Sequence, residues 1–542
     1  MFESGLLILT RPIPVLRKNI QHILSQAAKV ISNTLYVHIQ PTQALKPDSN
    51  PEPVFTSLRF VPPNKGLQKL MTDIYSSSAA VCGNIDIYVL QGNITNVGNE
   101  KLCYNLRSKL DVILMDNQEQ LNTNEQFLSK FVQSTFQAST DNIKFQCLCD
   151  INSVGMEDLP SESSGIQTYR RVVLGGTFDR LHLGHKILLG EGCLFAEENL
   201  TVGVTTGEMN LKKSLPELIQ PTPVRIDSVV QFIETVKPQI GHRVVPITDM
   251  FGPTITDPDL QCIVVSDETK KGGDIVNQER QKKGYSALDV YVIDLVQDQC
   301  HGQFEEAKIS SSSLRKRLLG TLINPVKPNK SIPSSPYVLG LTGGIASGKS
   351  AICKRLEGLG AGTVDCDKLG HQAYAKGTVG YDKVVGTFGS GILNSDGEVN
   401  RRSLGAIVFS DETKMQTLNK IVWPEIAKLA TEEVKKFGAE GKAVVVLEAA
   451  ILLRAGWEEH CHEVWGCVIP VKEAVKRLHE RNNLSEEEAM KRIHLGVTNS
   501  ELVSKSNVIL CSEWEYEYTQ QQVEKAWSLL MERLHPTVKS KH

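Results

Sequence analysis

The sequence predicts a multidomain α/β protein made of three α/β units. Three observations predict it. The chain is 542 residues long, too long for one core; short apolar runs alternate with amphipathic helical stretches; and two glycine-rich turns each stand between a strand and a helix. At ~100–200 residues per domain, the length corresponds to about three units.

The opening residues set the pattern, with GLLILT as strand, VLRKNIQHILSQAAKVI as amphipathic helix and TLYVHI as strand. Strands are expected near 5–10, 34–39, 84–90 and 110–115, helices near 15–31 and 123–137, and polar, Pro-containing loops at 41–53 and 92–101. Four basic side chains (Arg11, Arg17, Lys18, Lys29) against Glu3 also permit a mitochondrial targeting helix. The βαβ reading is preferred because the pattern runs straight on into globular sequence. Residues 1–152 contain no phosphate loop, nucleophile constellation or metal cluster.

A linker rich in Ser, Gly and acids (153–168) leads to a second α/β unit, 169–321, which begins with strand RRVVLGG. A Pro-rich linker, 322–336, makes a poor helix or sheet interior because proline removes a backbone donor and fixes φ. The third unit, 337–535, starts at YVLGLTGG, and a basic, polar tail (536–542) closes the chain.

Composition narrows the function. At 41% apolar, 22% charged and a formal net charge of −3, nothing favours nucleic acid or a membrane surface in bulk, so anionic ligands must be held by local basic groups. The longest apolar run, AVVVLEAAILL, is interrupted by Glu448 and falls short of the ~20 residues a spanning helix needs. Twelve scattered cysteines without a CxxC pair point to reduced thiols in an intracellular compartment, cytoplasmic with the mitochondrion as the alternative.

The first chemical motif is GGTFDRLHLGH, residues 175–185. It places His182 and His185 at a strand–loop–helix junction, where free N–H groups and the helix dipole favour an anion. Two imidazoles three apart share a helix face and can address one phosphate. Gly184 removes a side chain where a nucleotide must approach. The bland reading is a helix start (HKILLGEGCLFAEENL) with solvated histidines; GGTFD and the strand context weigh against it.

This stretch resembles the HxGH nucleotidyltransferase superfamily and fits phosphopantetheine adenylyltransferases best. Three further segments carry the resemblance: Asn210-Leu211-Lys212-Lys213; Ser266-Asp267-Glu268-Thr269 with Gly272, Gly273, Asn277 and Arg280; and Lys308-Ile309-Ser310-Ser311-Ser312-Ser313-Leu314-Arg315. It implies a Rossmann-like fold and adenylyl transfer from ATP. His185 would stabilise charge on the α-phosphoryl group, with His182 secondary. Lys212 or Lys213 would meet the acceptor phosphate, and Arg280 the substrate. Gly176, Thr177, Phe178, Ser310, Ser311, Ser312, Ser313 and Arg315 would surround ATP, and Mg²⁺ would bridge its oxygens.

The second motif, GGIASGKS, fits the phosphate-loop pattern completely, with Gly343, Gly348, Lys349 and Ser350 in place after strand YVLGL and before helix KSAICKRLEGL. Backbone amides from Gly343, Gly344, Ile345, Ala346 and Ser347 onward cradle phosphates, Lys349 reaches the β- and γ-oxygens, and the Ser350 hydroxyl ligates Mg²⁺. Asp365 and Asp367 follow a second short strand, where a small-molecule kinase needs an acceptor-orienting base. Arg477 and Arg481, four apart on one expected helix, and Arg492 on the next are candidates for a lid over transferring phosphates; each also reads as an ordinary solvated helix position.

The third unit resembles dephospho-CoA kinase through LTGGIxSGKS, DxD and DGxVNRRxLGxxVF. The resemblance makes Asp367 the catalytic aspartate and Arg401 a substrate contact. Three departures touch the expected acceptor contacts: Trp423 before Pro424 where His is common, Arg454 in place of Glu, and Gly496 in place of Gln. The tandem resembles the bifunctional coenzyme A synthase family. It implies 4′-phosphopantetheine, ATP and dephospho-CoA as small-molecule partners, and leaves residues 1–152 to protein or membrane-surface contacts. The rival readings are a nicotinamide mononucleotide adenylyltransferase fused to a nucleoside kinase, and a scaffold with a weakened kinase site.

Overall fold

The computed structural model describes residues 1–41, 61–92, 104, 106–118, 125–136, 143–148, 164–293, 298 and 301–535. Most of the expected loops at 41–53 and 92–101, residues 153–163 of the first linker, and the tail lie outside these. The chain divides into two compact units, Met1–Leu314 and Arg315–His542. Among the described residues no helix is long and apolar enough to cross a membrane.

Three five-stranded sheets are present, and every strand pairing in them is parallel. The first contains β1 (Phe2–Leu9), β2 (Ile31–Ile39), β3 (Asp86–Val89), β4 (Val112–Met115) and β5 (Lys144–Cys147), in the order β3-β2-β1-β4-β5. The opening βαβ pattern is present, with its helix at Ile13–Ala28 started by Pro12 and burying Leu16, Ile20, Ile23 and Leu24 at helical spacing. The helix Glu125–Phe136 matches the expected one. The helix Lys65–Val81, capped by Asn64, and strand β5 were not anticipated.

The second sheet, β10-β9-β6-β7-β8, is built from β6 (Tyr169–Gly176), β7 (Ala196–Thr205), β8 (Gly241–Ile247), β9 (Cys262–Ser266) and β10 (Asp289–Ile293). The helix expected to run through AEENL stops at Phe195, and Ala196 passes directly into β7. Pairing decides the matter: Asn199 and Leu200 take register partners Arg171 and Val172 on β6, so tertiary context overrides helical periodicity. The two sheets of this unit share one hydrophobic core, which runs from Leu6 and Leu114 through Leu70 and Leu189 to Val264.

Inside the first sheet His38 is fully buried, its Nε2 3.0 Å from Gln40 Oε1. Burial lowers its pKa to about 4 against the pull of Gln40. The unfolded chain takes up this proton below about pH 6.5 and the folded one does not. Stability is therefore complete above pH 6.5 and falls by on the order of 3 kcal/mol as pH drops towards 4. Urea melts at pH 7 and 4.5 should show a steeper loss for the native chain than for His38→Gln. Equal losses would refute this account.

The second unit carries the order β12-β13-β11-β14-β15 from β11 (Tyr337–Gly343), β12 (Gly362–Asp365), β13 (Val444–Glu448), β14 (Glu463–Val468) and β15 (Val508–Cys511). Its buried Glu463 is satisfied by Arg533 at 2.8 Å, Trp465 at 2.7 Å and Tyr337 at 3.1 Å, as a buried charge requires. The Pro-rich segment forms neither helix nor strand, as expected, yet it is fastened in place. Asn324 donates to the Val503 and Ser506 carbonyls, and Asn329 to those of Glu459 and Cys461. Ile332, Pro333 and Pro336 line an apolar cavity of about 460 Å³ with Val434, Leu447 and Trp457.

Candidate active sites

The first candidate site lies at the carboxyl end of β6, beside β9, where the strand order of an open parallel sheet reverses and ligands commonly bind. His182 is the N-cap of the helix Leu183–Phe195, and His185 sits in its first turn. The two rings stack with centroids 3.7 Å apart and an interplanar angle of 24°. A Cβ on Gly184 would come within 3.3 Å of the His182 ring, so the small residue permits this close stack. Phe178 is buried with its ring 5.2 Å from His185, so it forms a floor for the histidine.

The turn between β6 and the helix combines Thr177 and Phe178 with Asp179, Arg180 and Arg225, which the sequence did not single out. Phe178 and Arg180 adopt left-handed φ of 50° and 51°, rare for non-glycine residues and found where surroundings over-determine the backbone. Buried Asp179 accepts the Gln220 N–H at 2.9 Å and is paired with Arg180. Buried Arg225 donates to the carbonyls of Thr177, Thr205 and Gln220. Thr177 is itself buried, next to Gly176 at the strand end, and receives the Thr205 hydroxyl at 3.3 Å.

Ser311 Oγ donates to the Asp179 carbonyl and lies 3.4 Å from His182 Nε2, which brings the serine-rich element to the histidine pair. Ser310 Oγ accepts the Ser313 N–H, and Ser313 is buried, so this pair serves the helix start; Ser312 stands between them. Arg315 is buried on the same helix, Ser311–Leu318. Lys212 is exposed at the end of the single turn Glu208–Leu211, and Lys213 is less exposed. Enclosure by the protein holds the His185 imidazole well below the usual histidine range, and the charges of His182 and Lys213 add to the effect.

Arg280 corrects an expectation. It is fully buried, and its guanidinium donates to the carbonyls of Ser286, Thr254, Asp257, Pro258 and Leu260, so every N–H is already engaged. It braces a turn and has no donor left for a substrate. Its neighbours in the same motif are local as well: Ser266 and Thr269 form a capping box, and the Asn277 amide bridges both backbone groups of Leu288.

The second candidate site is the phosphate loop at the end of β11. Gly348, at φ 84°, is the N-cap of the helix Lys349–Gly358, and Ala346 holds a left-handed φ of 60°. A Cβ on Gly343 would lie 2.5 Å from the Cys467 carbonyl oxygen, so glycine is required there. Lys349 Nζ donates to the carbonyls of Gly343 and Gly344 at 3.1 and 3.3 Å, lying across the loop it would serve. Ile345 is half-buried and Ser347 buried.

Glu448 is the residue that sequence reasoning missed. It ends β13, is nearly buried, and accepts the Ser350 hydroxyl at 2.6 Å. The signal was a lone acid inside an apolar run. Asp365 caps the helix Cys366–Gln372 through the Lys368 N–H and pairs with the Lys368 side chain at 3.0 Å, so it is locally engaged. Asp367 is the second residue of that helix, exposed on one side and covered by the protein on the other. Desolvation raises its pKa above the usual carboxylate value; Asp365 and Glu448 add to this, and Lys349 opposes it. Among the described residues no group of three or more His, Cys, Asp or Glu side chains is placed to hold a metal by itself.

Of the lid candidates, Arg477 on the helix Val471–Asn482 reaches the loop, donating to the Ala346 carbonyl at 3.2 Å, to Ser512 and to Glu473. Arg481 and Arg492 are exposed, and Arg481 donates to Asn482. Arg401 is exposed at the start of the helix Arg401–Phe409. Two of the three departures meet: Arg454 donates to the Leu495 carbonyl at 2.9 Å, immediately before Gly496. Trp423 is half-buried in the helix Glu412–Ala439, which continues through Pro424.

These arrangements define a chain that joins a nucleotidyltransferase to a phosphate-loop kinase. Family models match along it: COASY N-terminal domain at residues 3–143, cytidylyltransferase-like at 173–317, and dephospho-CoA kinase at 337–516. The dephospho-CoA kinase of Carboxydothermus hydrogenoformans is 36% identical over 186 residues, which are 34% of this chain and 90% of that one. That of Geobacter sulfurreducens is 35% identical over 191 residues, 35% of this chain and 97% of the relative. A solved dephospho-CoA kinase from Campylobacter jejuni covers 36% of this chain and 98% of its own at 24% identity, with a TM-score of 0.30. The chain belongs to the dephospho-CoA kinase family, and its kinase unit follows the other two domains of a bifunctional enzyme of coenzyme A synthesis.

Proposed function

We propose that the chain catalyses two successive ATP-dependent steps: adenylyl transfer to 4′-phosphopantetheine, giving dephospho-CoA and pyrophosphate, then phosphorylation of the dephospho-CoA ribose 3′-hydroxyl. The observation that carries the first step is the stacked His182–His185 pair with Ser311 beside it, at the opening of a helix. The acceptor phosphate oxygen attacks the α-phosphorus in line, the bond to the β-phosphoryl oxygen breaks, and pyrophosphate leaves. No covalent nucleophile on the protein is needed; positioning and charge stabilisation suffice. His185, held neutral by its surroundings, presents an imidazole N–H to the α-phosphoryl oxygens. Lys213, whose charge is felt at His185, is the better of the two lysines for the acceptor phosphate.

In the second unit Asp367 takes the proton of the ribose hydroxyl as that hydroxyl's oxygen attacks the γ-phosphorus, the bond from the γ-phosphorus to the β–γ bridging oxygen breaks, and ADP leaves. Its raised pKa suits that task better than an ordinary carboxylate's would. Lys349 neutralises charge on the β- and γ-phosphates. The Ser350 hydroxyl and Glu448 carboxylate, 2.6 Å apart, are the hard oxygen donors that suit Mg²⁺, and they would hold it. The ion, when bound, offsets charge on the ATP phosphates. Arg477 secures the loop's backbone, while Arg401, Arg481 and Arg492 are exposed and would meet the acceptor.

Purified protein with ATP and either 4′-phosphopantetheine or nicotinamide mononucleotide tests this reading. Pyrophosphate release and dephospho-CoA are expected with the former. Product from nicotinamide mononucleotide alone would overturn it.

A further inference from the structure

Residues 3–143 are matched only as an N-terminal domain, with no activity attached. Several of their polar contacts fall on one element of the first site, the histidine helix Leu183–Phe195. Lys186, the residue after His185, is 3% exposed and points away from the site into the first sheet. There its Nζ pairs with Asp86, donates to the Ile87 carbonyl at 2.8 Å and sits 4.3 Å from the Tyr88 ring centroid. One turn further along, the Gly190 carbonyl accepts from Gln91 Nε2 at 2.9 Å. Buried Glu191 accepts from Gln68 at 2.8 Å, and Gln68 also bonds the Tyr291 hydroxyl.

Residues 186, 190 and 191 all turn towards the N-terminal domain, which grips this helix through β3, Gln91 and the helix Lys65–Val81. A buried cation is tolerated only when paired and hydrogen-bonded, and here both partners come from β3. Lys186 therefore fixes the rotation and height of the helix turn that carries His185. Burial alone would push its ammonium towards neutrality, and Asp86 opposes that.

We propose that the N-terminal domain is a positioning element of the adenylyltransferase site, acting through the Asp86–Lys186 pair to hold the histidine helix in register. The proposal rests on the nucleotidyl-transfer reading of His185. Asp86 and Lys186 are positioning residues, since neither faces the reacting atoms. Misplacing a catalytic group by about 1 Å costs up to roughly 10²-fold in rate, which sets the scale of the effect.

The test uses the full chain, with pyrophosphate release on 4′-phosphopantetheine and phosphorylation of added dephospho-CoA measured on the same sample. Asp86→Asn is expected to lower the adenylyl-transfer kcat about tenfold, leave KM for ATP within about twofold, and leave the kinase rate unchanged. Asp86→Glu, whose carboxylate has room because Asp86 is half-exposed, should restore most of the loss. Lys186→Met removes the buried charge while keeping an apolar stem, so it tests positioning even if Asp86→Asn fails to fold. It should show the same fall in kcat. An unchanged kcat in both variants, or both activities falling together, would overturn the proposal. A wild-type chain that makes no dephospho-CoA overturns the proposed function instead; with an active wild type, either of those two outcomes counts against the bracing alone.

Discussion

Replacing Lys349 by Ala is expected to stop conversion of dephospho-CoA to CoA while dephospho-CoA accumulates from the intact first site. The loss should be on the order of 10³-fold, about 4 kcal/mol, typical for removing one preorganised donor to developing phosphoryl charge. Two consequences of the geometry sharpen this. Lys349 bridges the Gly343 and Gly344 carbonyls, so its loss also loosens the loop that presents amides to phosphate. The adenylyltransferase histidines belong to the other compact unit, so their chemistry should proceed at the native rate. Quantifying both products by chromatography decides the matter; disappearance of both would contradict separate sites.

His185→Ala is the mirror experiment. Adenylyl transfer should fall by roughly 10²–10³-fold, while added dephospho-CoA is still phosphorylated. A pH profile adds a check that mutation alone does not supply. Because the folded-state pKa of His185 lies well below 6.5, the neutral imidazole persists through the usual histidine range. The acid limb of the first reaction should therefore begin below pH 6.5, and a limb centred at 6.5 or above would contradict the neutral form. If alanine at His182 and at His185 costs no rate, the first-site assignment fails.

Local chemistry made part of this legible in advance. The phosphate loop could be read because a backbone that curls around an anion needs glycine where a Cβ would strike Cys467, a requirement written directly into the sequence. The opening βαβ unit could be read because its helix keeps one apolar face and its strands are continuous apolar runs. Contacts between distant segments were not legible. Glu448 looked like an interruption until β13 set it against Ser350, 98 positions away. Arg280 looked like a ligand-binding cation until five carbonyls were seen to surround it. The front sheet showed no motif because its role runs through ordinary residues, Asp86 and Gln91, whose partners lie about a hundred positions further on. AEENL was misread because Ala, Glu and Leu favour helix, and only pairing with β6 overrides that preference.

The asparagine-fastened stretch before β11 has a practical consequence for anyone dissecting the enzyme. Asn324 and Asn329 tie it to carbonyls in the segments that precede β15 and β14, and its prolines and Ile332 close the side of an apolar hollow. An isolated kinase begun at residue 337, where the sequence places the domain border, would leave that hollow open to water and four carbonyls without their amide donors. Begun a few residues before Leu322, the same fragment would keep its own wall, and should prove the better behaved of the two in solution.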